Sequence, residues 1–335
     1  MRACIFTGKD QWTIGEVDVP IPASDEVLIQ VKAAGFCGTD LHILKGEYFS
    51  SFPIVTGHEF SGEVADVGKE VVGFQPGDRV AADPNIFCDR CYYCKINKHI
   101  HCENLRVVGV TQGGAFAEYV AVPEKAVYHL PDSTSYREGA MAEPLACVVY
   151  GVQRAKPRPG SKILIFGAGP IGLLMLALLR MSGAAQAVAV DISRAKLAMA
   201  AELGAETVVA DGSEEETLRQ LSSRGYDLVV DATGLPAVME RALPLVEPDG
   251  TFLVFGVAPI GASMRLEPYD IFRRDLRIIG SFALNKTMQY SLNLLAENRI
   301  PVGRYISASY SLEHFGEAFR EVTENPDHLK VQIEF

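Results

Sequence analysis

The stretch from Ser161 to Asp191, SKILIFGAGPIGLLMLALLRMSGAAQAVAVD, holds the pattern that decides the fold. It begins with a short apolar run, Ile163 to Phe166, breaks at three glycines and continues as a Leu-rich segment that is too long for a strand. This order predicts a strand, a tight turn and a helix. A second strand, Ala187 to Val190, is expected to follow.

The three glycines, Gly167, Gly169 and Gly172, form a G-x-G-x-x-G fingerprint. In such a unit the first glycine permits the turn, the second lets the backbone approach a pyrophosphate, and the third lets helix and strand pack closely. The helix N-terminus, which begins with Pro170 and Ile171, offers free N–H groups to the phosphates. The sequence therefore predicts that this turn binds a dinucleotide.

Asp191 ends the second strand, nineteen residues after the last glycine of the fingerprint. A carboxylate there accepts hydrogen bonds from both ribose hydroxyls of NAD and repels the 2′-phosphate of NADP, so we expect NAD. A membrane span is the alternative for this apolar stretch. Ile163 to Leu179 contains three glycines and a proline and is closed by Arg180, which favours a buried strand and helix.

Length and composition limit the class of protein. The 335 residues are 48% hydrophobic, which suffices for two domains with a buried core each. The 31 basic and 42 acidic residues give a net charge of −11, which argues against nucleic acid or an anionic membrane as the main partner. Met1-Arg2-Ala3-Cys4 leads into a strand-like run without the apolar region of a signal peptide, so we expect a cytoplasmic protein.

The pattern of apolar and turn-forming residues changes near residue 159. Before it, short apolar or alternating runs between Pro and Gly turns predict mostly strands and few helices. After it, strands alternate with helical runs such as Ala195–Leu203 and Ala237–Val246, which predicts a doubly wound α/β fold with a parallel sheet. We expect a first domain at residues 1–150, a dinucleotide-binding domain at 151–286, and a return to the first domain at 287–335.

Four of the seven cysteines, which a reducing compartment would keep as thiols, share a regular spacing of C-x2-C-x2-C-x7-C. They are Cys88, Cys91, Cys94 and Cys102. Four thiolates at such intervals close a tetrahedral shell around Zn²⁺, and a closed shell is structural rather than catalytic. A [4Fe–4S] cluster is the rival interpretation, and the absence of other redox features argues against it. We expect this zinc lobe at about residues 84–104.

A second set of ligand types lies elsewhere in the chain. Cys37 stands in GFCGTDLHI, and His58 and Glu59 stand in TGHEFSGEVADVG. A thiolate, an imidazole and a carboxylate are the ligand types of an open, catalytic zinc. Taken singly, each residue is ordinary, since a lone cysteine is more often a small buried hydrophobe.

The pattern G-H-E-x2-G-x5-G-x2-V, here Gly57 to Val71, resembles the zinc signature of the medium-chain dehydrogenases/reductases, the zinc alcohol dehydrogenase family. With Cys37, the four-cysteine lobe and the GAGPIG unit in the same order, the resemblance covers essentially the whole chain. It implies a Rossmann domain beside a mainly β, GroES-like catalytic domain with a structural zinc lobe. It also implies two zinc ions per chain and NAD.

The resemblance further implies roles for single residues. The catalytic zinc would be held by Cys37, His58, Glu59 and either water or Glu143. Glu143 stands in an Ala-Glu-Pro-Leu sequence that resembles the Glu-Pro-Leu turn of sorbitol and threonine dehydrogenases. Thr39 matches the residue that passes the substrate proton onward. His42 lies where a relay or specificity histidine is found, with a surface loop residue as the alternative.

The nicotinamide half of the cofactor would be lined by turns that follow three strands. The residues implied there are Thr233, Phe255, Val257, Ser281, Phe282 and Ala283. Lys196 aligns with a basic residue near the adenosine ribose, and a solvated helix lysine is an equal alternative. The implied chemistry is transfer of a hydride from an alcohol carbon to the nicotinamide, helped by zinc acting as a Lewis acid.

The substrate is the least determined part. The chain looks closest to the polyol branch of the family, which includes sorbitol, arabinitol and galactitol-phosphate dehydrogenases. It departs from sorbitol dehydrogenases after Phe282, where Ala283-Leu284-Asn285 replaces an Arg-Tyr pair that contacts the polyol in those enzymes. A phosphorylated polyol would need a cation, with Lys45, Lys286 and Arg273 as candidates. L-threonine 3-dehydrogenase is the alternative function, and a short loop before Gly57 argues against it.

A protein of another class, a non-catalytic structural or binding relative, would be expected to lose some of the seven residues of the two ligand sets. All seven are present, so we expect an enzyme acting on a small polyol. Family members commonly pair through the edge strand of the cofactor sheet, here Leu276 to Phe282, which implies a homodimer or homotetramer.

Overall fold

The computed structural model describes residues 1–335. The chain forms two compact units, one comprising Met1–Cys147 and Leu284–Phe335, the other Val148–Ala283. The boundaries expected from the sequence, after residues 150 and 286, each lie three residues further along the chain.

The first unit is built mainly of strands before residue 130. These strands are β1 (Arg2–Gly8), β2 (Gln11–Glu16), β3 (Glu26–Gly35), β4 (Ile54–Val55), β5 (Glu59–Val67), β6 (Arg79–Ala82), β7 (Asn85–Ile86), β8 (Arg106–Val107), β9 (Tyr119–Pro123) and β10 (Val127–His129). Its helices are α1 (Gly38–Leu44), α2 (Tyr92–Lys95), α3 (Tyr136–Gly139) and the first residues of α4 (Ala142–Ala155).

The second unit alternates strands with helices. Its elements are β11 (Lys162–Phe166), α5 (Pro170–Met181), β12 (Gln186–Asp191), α6 (Arg194–Glu202), β13 (Glu206–Val209), α7 (Glu214–Leu221), β14 (Tyr226–Asp231), α8 (Pro236–Ala242), β15 (Val246–Val254), α9 (Pro268–Arg273) and β16 (Arg277–Gly280). The six strands are parallel, in the order β13-β12-β11-β14-β15-β16. The doubly wound parallel sheet expected from the sequence is thereby confirmed.

The chain then returns to the first unit with α10 (Met288–Ala296), β17 (Ile306–Ser311), α11 (Phe315–Glu324) and β18 (Lys330–Glu334). The main sheet of this unit runs β10-β6-β5-β3-β18-β17, and β9 also pairs with β3. β18 is antiparallel to β3 and parallel to β17. The last strand therefore lies beside the strand that leads to Cys37.

Aromatic rings from distant parts of the chain fill the core of the first unit. Phe36 packs against Phe116 at 4.7 Å and against Phe315 at 4.9 Å between ring centroids. All three side chains are buried, and burial of each contributes about 1.5–3 kcal/mol to the stability of the fold. The segment around Cys37 thus rests on a packed base.

Three secondary-structure predictions are wrong in detail. The first 150 residues contain more helix than expected, because α1 and the start of α4 are helical. The helix expected over Ala237–Val246 ends at Ala242, since Pro244 lacks an N–H and stands in a 3-10 turn before β15. The Glu-Pro-Leu segment is not a free turn but the first turn of α4.

None of the helices has the length and apolar character needed to cross a membrane.

Candidate active site

The register between two strands brings the first ligand set together. In the antiparallel pair of β3 and β5, Gly35 lies opposite Glu59. Cys37, two residues beyond the end of β3, therefore reaches the level of His58, just before β5. The ligand atoms of Cys37, His58 and Glu59 all lie within 4.8 Å of one another. Residues 21 and 22 positions apart in the sequence thus form one cluster.

Gly57 sets the direction in which His58 points. Its φ of +91° lies in the left-handed region, and a Cβ there would come within 2.8 Å of the Phe116 backbone nitrogen. Only glycine combines this conformation with so close a contact. The glycine of the G-H-E motif is therefore required by the turn that presents the imidazole.

Asp40 supports this cluster from behind and was not predicted from the sequence. It is 1% exposed; its Oδ2 accepts from the Cys37 amide at 2.9 Å, and its Oδ1 accepts from the Gly57 amide at 3.3 Å. The same Oδ1 lies 3.7 Å from Nδ1 of His58, a buried nitrogen without a hydrogen-bond partner. A carboxylate behind a histidine is the arrangement that orients metal-binding imidazoles. The sequence did contain a signal for Asp40: an acidic residue three positions after Cys37, the spacing of a capping box at the start of a helix.

The charges of neighbouring side chains also set the pKa of the His58 imidazole. Burial alone disfavours its charged form, but Asp40 and then Cys37 outweigh burial and raise the pKa of His58 well above its usual value. A proton on the His58 ring competes with metal binding, because a metal binds only the neutral imidazole. A cation in the cluster would replace the proton as the balancing charge.

Glu59 is held by a lysine from the far end of the chain. Nζ of Lys330 donates to Oε1 of Glu59 at 2.8 Å, to Oε2 at 2.6 Å and to the Phe36 carbonyl at 2.7 Å. Both side chains are buried, at 6% and 2% exposed. Burial disfavours the ammonium, yet the Glu59 carboxylate raises the pKa of Lys330 above its usual value. Lys330 was missed because it lies 271 residues from Glu59.

Glu143, in the first turn of α4, is the other carboxylate of the cluster. It is 6% exposed, and burial raises its pKa to about 7. His58, Glu59 and Lys330 all act on its charge, so it belongs to the same electrostatic unit. The Cys147 thiol, one turn further along α4, donates to Oε1 of Glu143 at 3.3 Å.

The two residues expected to handle the substrate proton lie on α1. Thr39 and His42 are three positions apart, a spacing that places side chains on one face of a helix. The interpretation of His42 as a surface loop residue is wrong, because it is helical and its side chain is only 22% exposed. Tyr48, a residue not predicted, has its pKa raised to about 12 by burial and by the nearby Cys37, Cys147 and Glu143.

These residues fit a catalytic zinc. Cys37 supplies a thiolate, His58 an imidazole backed by Asp40, and Glu59 a carboxylate, and these S, N and O ligand atoms lie within 4.8 Å of one another. Glu143 is a second buried carboxylate whose charge interacts with those of His58 and Glu59. The set includes fewer than four residues in direct mutual reach. Such a site leaves room for a substrate oxygen, as catalytic zinc sites do.

The four-cysteine lobe also fits zinc. The sulfur atoms of Cys88, Cys91, Cys94 and Cys102 lie within 4.8 Å of one another. The Cys102 sulfur accepts from the Cys88 amide at 3.3 Å and from the Asn104 amide at 3.4 Å. The backbone amide of Arg90 leads the hydrogen bonds that lower the pKa of Cys88 to about 6. N–H groups aimed at sulfur favour the thiolate that a metal requires, which lowers the pKa at Cys88, whereas burial outweighs them and raises the pKa of Cys102.

The second unit contains the glycine turn in the expected place. Gly167, with φ of +96°, follows β11, and Gly169 precedes the first residue of α5. A Cβ on Gly172 would lie 1.8 Å from the Gly167 carbonyl oxygen, so no other residue fits there. Pro170, which has no N–H, and Ile171 occupy the first two helical positions, and the N–H groups of the first turn after Pro170 point out of the helix N-terminus.

Asp191 lies against this turn. Its Oδ2 accepts from the Ala168 amide at 2.6 Å, and its Oδ1 accepts from the Ser193 amide at 2.8 Å. The carboxylate is therefore fixed at the end of β12, beside the end of β11. Lys196 lies one turn further on, in the first turn of α6, where its amide donates to the Ser193 hydroxyl.

Asp231 organises the other turns at this edge of the sheet and was not predicted as a site residue. It is fully buried, and its carboxylate accepts from the Thr233 amide at 3.1 Å, the Thr233 hydroxyl at 2.5 Å and the Gly234 amide at 3.1 Å. Its carbonyl accepts from the amides of Phe255 and Gly256. One residue thereby joins the turns that follow β14 and β15.

The remaining predicted cofactor residues follow the carboxyl ends of neighbouring strands. Phe255 and Val257 come after β15, and Ser281, Phe282 and Ala283 come after β16. In open α/β sheets, ligands bind outside the carboxyl ends where strand order reverses, here between β12 and β14 around β11. The glycine cradle and these turns fit a dinucleotide.

Comparison with known proteins agrees with both units. The alcohol dehydrogenase GroES-like domain matches residues 23–132, and the zinc-binding dehydrogenase domain matches residues 170–297. The chain is 37% identical to D-altritol 5-dehydrogenase of Agrobacterium fabrum, with 99% of each chain covered. It is 35% identical to D-arabitol-phosphate dehydrogenase of Enterococcus avium, over 98% of this chain and 95% of that one.

A solved structure is similar throughout. The zinc-binding dehydrogenase of Sinorhizobium meliloti 1021, determined with NADP bound, is 34% identical and superposes with a TM-score of 0.93 over 100% of this chain and 99% of that one.

Proposed function

Because the chain belongs to the zinc-binding dehydrogenases of the zinc alcohol dehydrogenase family, we propose that it oxidises a secondary hydroxyl of a polyol or sugar alcohol to the ketone, with NAD as the hydride acceptor. The observation that carries this proposal is the joint presence of an open ligand cluster at Cys37 and His58 and a fixed glycine turn beside Asp191.

In the proposed mechanism, Cys37 and His58 would hold the catalytic zinc, and Glu59 or Glu143 would complete the protein ligands. Bound zinc supplies a Lewis acid that makes the substrate hydroxyl more acidic. Asp40 keeps the imidazole of His58 in place through its contacts with both ligand segments. Zinc held through Glu59 would weaken the buried ion pair between Glu59 and Lys330. Binding through Glu59 would therefore cost more free energy than binding through Glu143.

Proton removal falls to α1 in this proposal. The Thr39 hydroxyl receives the substrate proton and passes its own to His42. The carbon that bears the substrate hydroxyl would give a hydride to the nicotinamide ring. The alcohol would thus lose one hydride and one proton, which is two electrons and two protons in total. The second zinc in the four-cysteine lobe would be structural, giving two zinc ions per chain.

Two alternatives are less well supported. L-threonine 3-dehydrogenase lacks support because the relatives reported above are named for polyols and a polyol phosphate. A non-catalytic relative would have no need to retain both ligand sets, and both are intact. Lys286, one candidate cation for a substrate phosphate, lies 3.8 Å from Asp89 and is already paired.

The test is kcat/KM with NAD across D-altritol, arabinitol, sorbitol, galactitol, the phosphates of these polyols, 2,3-butanediol and L-threonine. The proposal expects an unphosphorylated or phosphorylated polyol to be the best substrate. A clear preference for L-threonine, or no NAD reduction with any of these compounds, would contradict it. If only the phosphates react, Lys45→Ala and Arg273→Ala identify the cation that binds the phosphate.

For the cofactor, we expect Asp191→Ser to narrow the preference for NAD over NADP by about tenfold, which corresponds to roughly 1.4 kcal/mol. The change removes both a ribose acceptor and a negative charge that repels a 2′-phosphate. The measurement is kcat/KM for each cofactor. Glu216→Ser, which removes an exposed carboxylate from α7, is the matched control and should leave the ratio unchanged. Equal use of both cofactors by the unaltered protein would rule out Asp191 as the selecting residue.

We also propose that copies of the chain associate through β16, as a homodimer or a homotetramer. Support comes from its position at the edge of the six-stranded sheet and from Tyr269 and Phe272 on the preceding α9, which are 67% and 77% exposed. Light scattering should give a mass of two or four times 36.4 kDa.

A cytoplasmic location is supported by the four-thiol lobe, which an oxidising compartment would convert to disulfides.

A further inference from the structure

The end of α1 places an acidic residue over His42. The Gly46 amide donates to the Ile43 carbonyl at 2.9 Å, and the Glu47 amide donates to the His42 carbonyl at 2.8 Å. With Gly46 at φ of +69°, these two bonds form a Schellman motif. The backbone therefore turns back at Gly46 and sets Glu47 directly above the last turn of the helix.

The side chains of this pair meet as well. Nδ1 of His42 lies 3.1 Å from Oε2 of Glu47, with the imidazole 22% and the carboxylate 44% exposed. Because an ionised carboxylate only accepts hydrogen bonds, Nδ1 must carry the hydrogen. Nε2 is then left with a lone pair and can accept a proton.

The same loop continues into the ligand cluster. Tyr48, the next residue, is half-buried and stacks on Phe49 with ring centroids 4.4 Å apart. The phenol of Tyr48 is close enough to Cys37 and Glu143 for their charges to act on it. The His42–Glu47 pair therefore lies at the margin of the proposed active site and not on a remote surface.

We propose that Glu47 is a positioning residue for proton removal, a proposal that rests on the function proposed above. The substrate O–H bond breaks, its proton is passed on by Thr39, and a new N–H bond forms at Nε2 of His42 while the hydride goes to NAD. Glu47 accepts the hydrogen bond from Nδ1 throughout; it fixes the tautomer of His42 and balances the charge of the imidazolium. The imidazolium then returns its proton to water.

A merely structural role for this pair predicts something different. Exposed ion pairs contribute little to stability. If Glu47 served only to close the end of α1, the Gly46 turn would still do so through its backbone bonds. Catalysis would then be indifferent to the charge of residue 47.

The kinetic test is a double-mutant cycle with Glu47→Gln, His42→Gln and both together. We expect Glu47→Gln to lower kcat about tenfold with the KM for NAD unchanged, since general acid–base groups contribute about 10²–10⁴-fold and Glu47 only orients one. His42→Gln should cost more, and the double variant should be no slower than His42→Gln alone. Glu313→Gln, which breaks an exposed ion pair with Arg2, is the control and should keep full activity.

Unchanged kcat in Glu47→Gln, or losses that multiply in the double variant, would overturn the proposal. A second readout needs no substrate. Nitrogen NMR of the His42 imidazole, identified by its absence in His42→Gln, should show hydrogen on Nδ1, and Glu47→Ala should shift the population toward hydrogen on Nε2. Hydrogen on Nε2 in the unaltered protein would refute the role of Glu47 even if no alcohol were oxidised, whereas failure of every substrate would refute only the proposed function.

Discussion

Replacement of Cys37 by serine is expected to remove one of two zinc ions per chain and to lower kcat/KM for alcohol oxidation by about 10³-fold or more, since a bound metal supplies several kcal/mol of charge stabilisation. The fold should survive, because Cys37 lies at the start of α1 above an aromatic core that does not depend on its sulfur. Elemental analysis, circular dichroism and NAD-linked kinetics measure the three effects.

Two further variants separate the metal sites. Cys94→Ser should remove the other zinc and weaken the lobe, because structural zinc contributes directly to folding. Cys4→Ala alters a buried cysteine that belongs to neither ligand set, and it should keep both zinc ions and its activity. One zinc ion in the unaltered protein, or full activity in Cys37→Ser, would contradict the proposed catalytic site.

Replacement of Lys330 by methionine should lower the free energy of unfolding by about 3–5 kcal/mol, the usual cost of leaving one charge of a buried pair without its partner. Lys330 is the cation bonded to both oxygens of Glu59 and also to the Phe36 carbonyl. Its loss leaves a buried carboxylate and a buried carbonyl without donors. Denaturant unfolding of the zinc-loaded protein measures the change.

The double variant Lys330→Met with Glu59→Gln tests the cause of this loss. Because it removes both charges, it should recover part of the stability that Lys330→Met alone loses. Lys286→Met is the matched control, since Lys286 is 53% exposed and its ion pair with Asp89 is exposed and 3.8 Å long. A change below about 1 kcal/mol in Lys330→Met, the level of an exposed pair, would mean that Glu59 is neutralised by another group.

The features that the sequence predicted well are those encoded over a short span. The strand, glycine turn and helix from Lys162 to Met181 are fixed by residues that are neighbours in the chain, and the structure has them as expected. The four lobe cysteines likewise stand within fifteen residues and meet in space. Local periodicity and spacing suffice for such units.

The features that were missed depend on pairing between distant segments or on short helices. α1 has only seven residues, GTDLHIL, too few for a helical period to emerge from the sequence. Lys330 could not be assigned, since nothing before the fold is known relates β18 to β5. Glu47 could have been noticed, because Gly46, four residues after His42, is the glycine expected at a Schellman helix end and Glu47 follows it directly.

The place of β18 inside the main sheet, between β3 and β17, has a consequence for the order of events on the ribosome. Val148–Ala283 is one uninterrupted segment and can fold as soon as it has emerged, whereas the first unit must wait until Lys330–Glu334 has been made. Until then, Ala33 to Gly35 of β3 lack the neighbours they have in β18, and Glu59 lacks its lysine. The nascent chain therefore exposes an unpaired strand edge beside Cys37, and such edges invite aggregation.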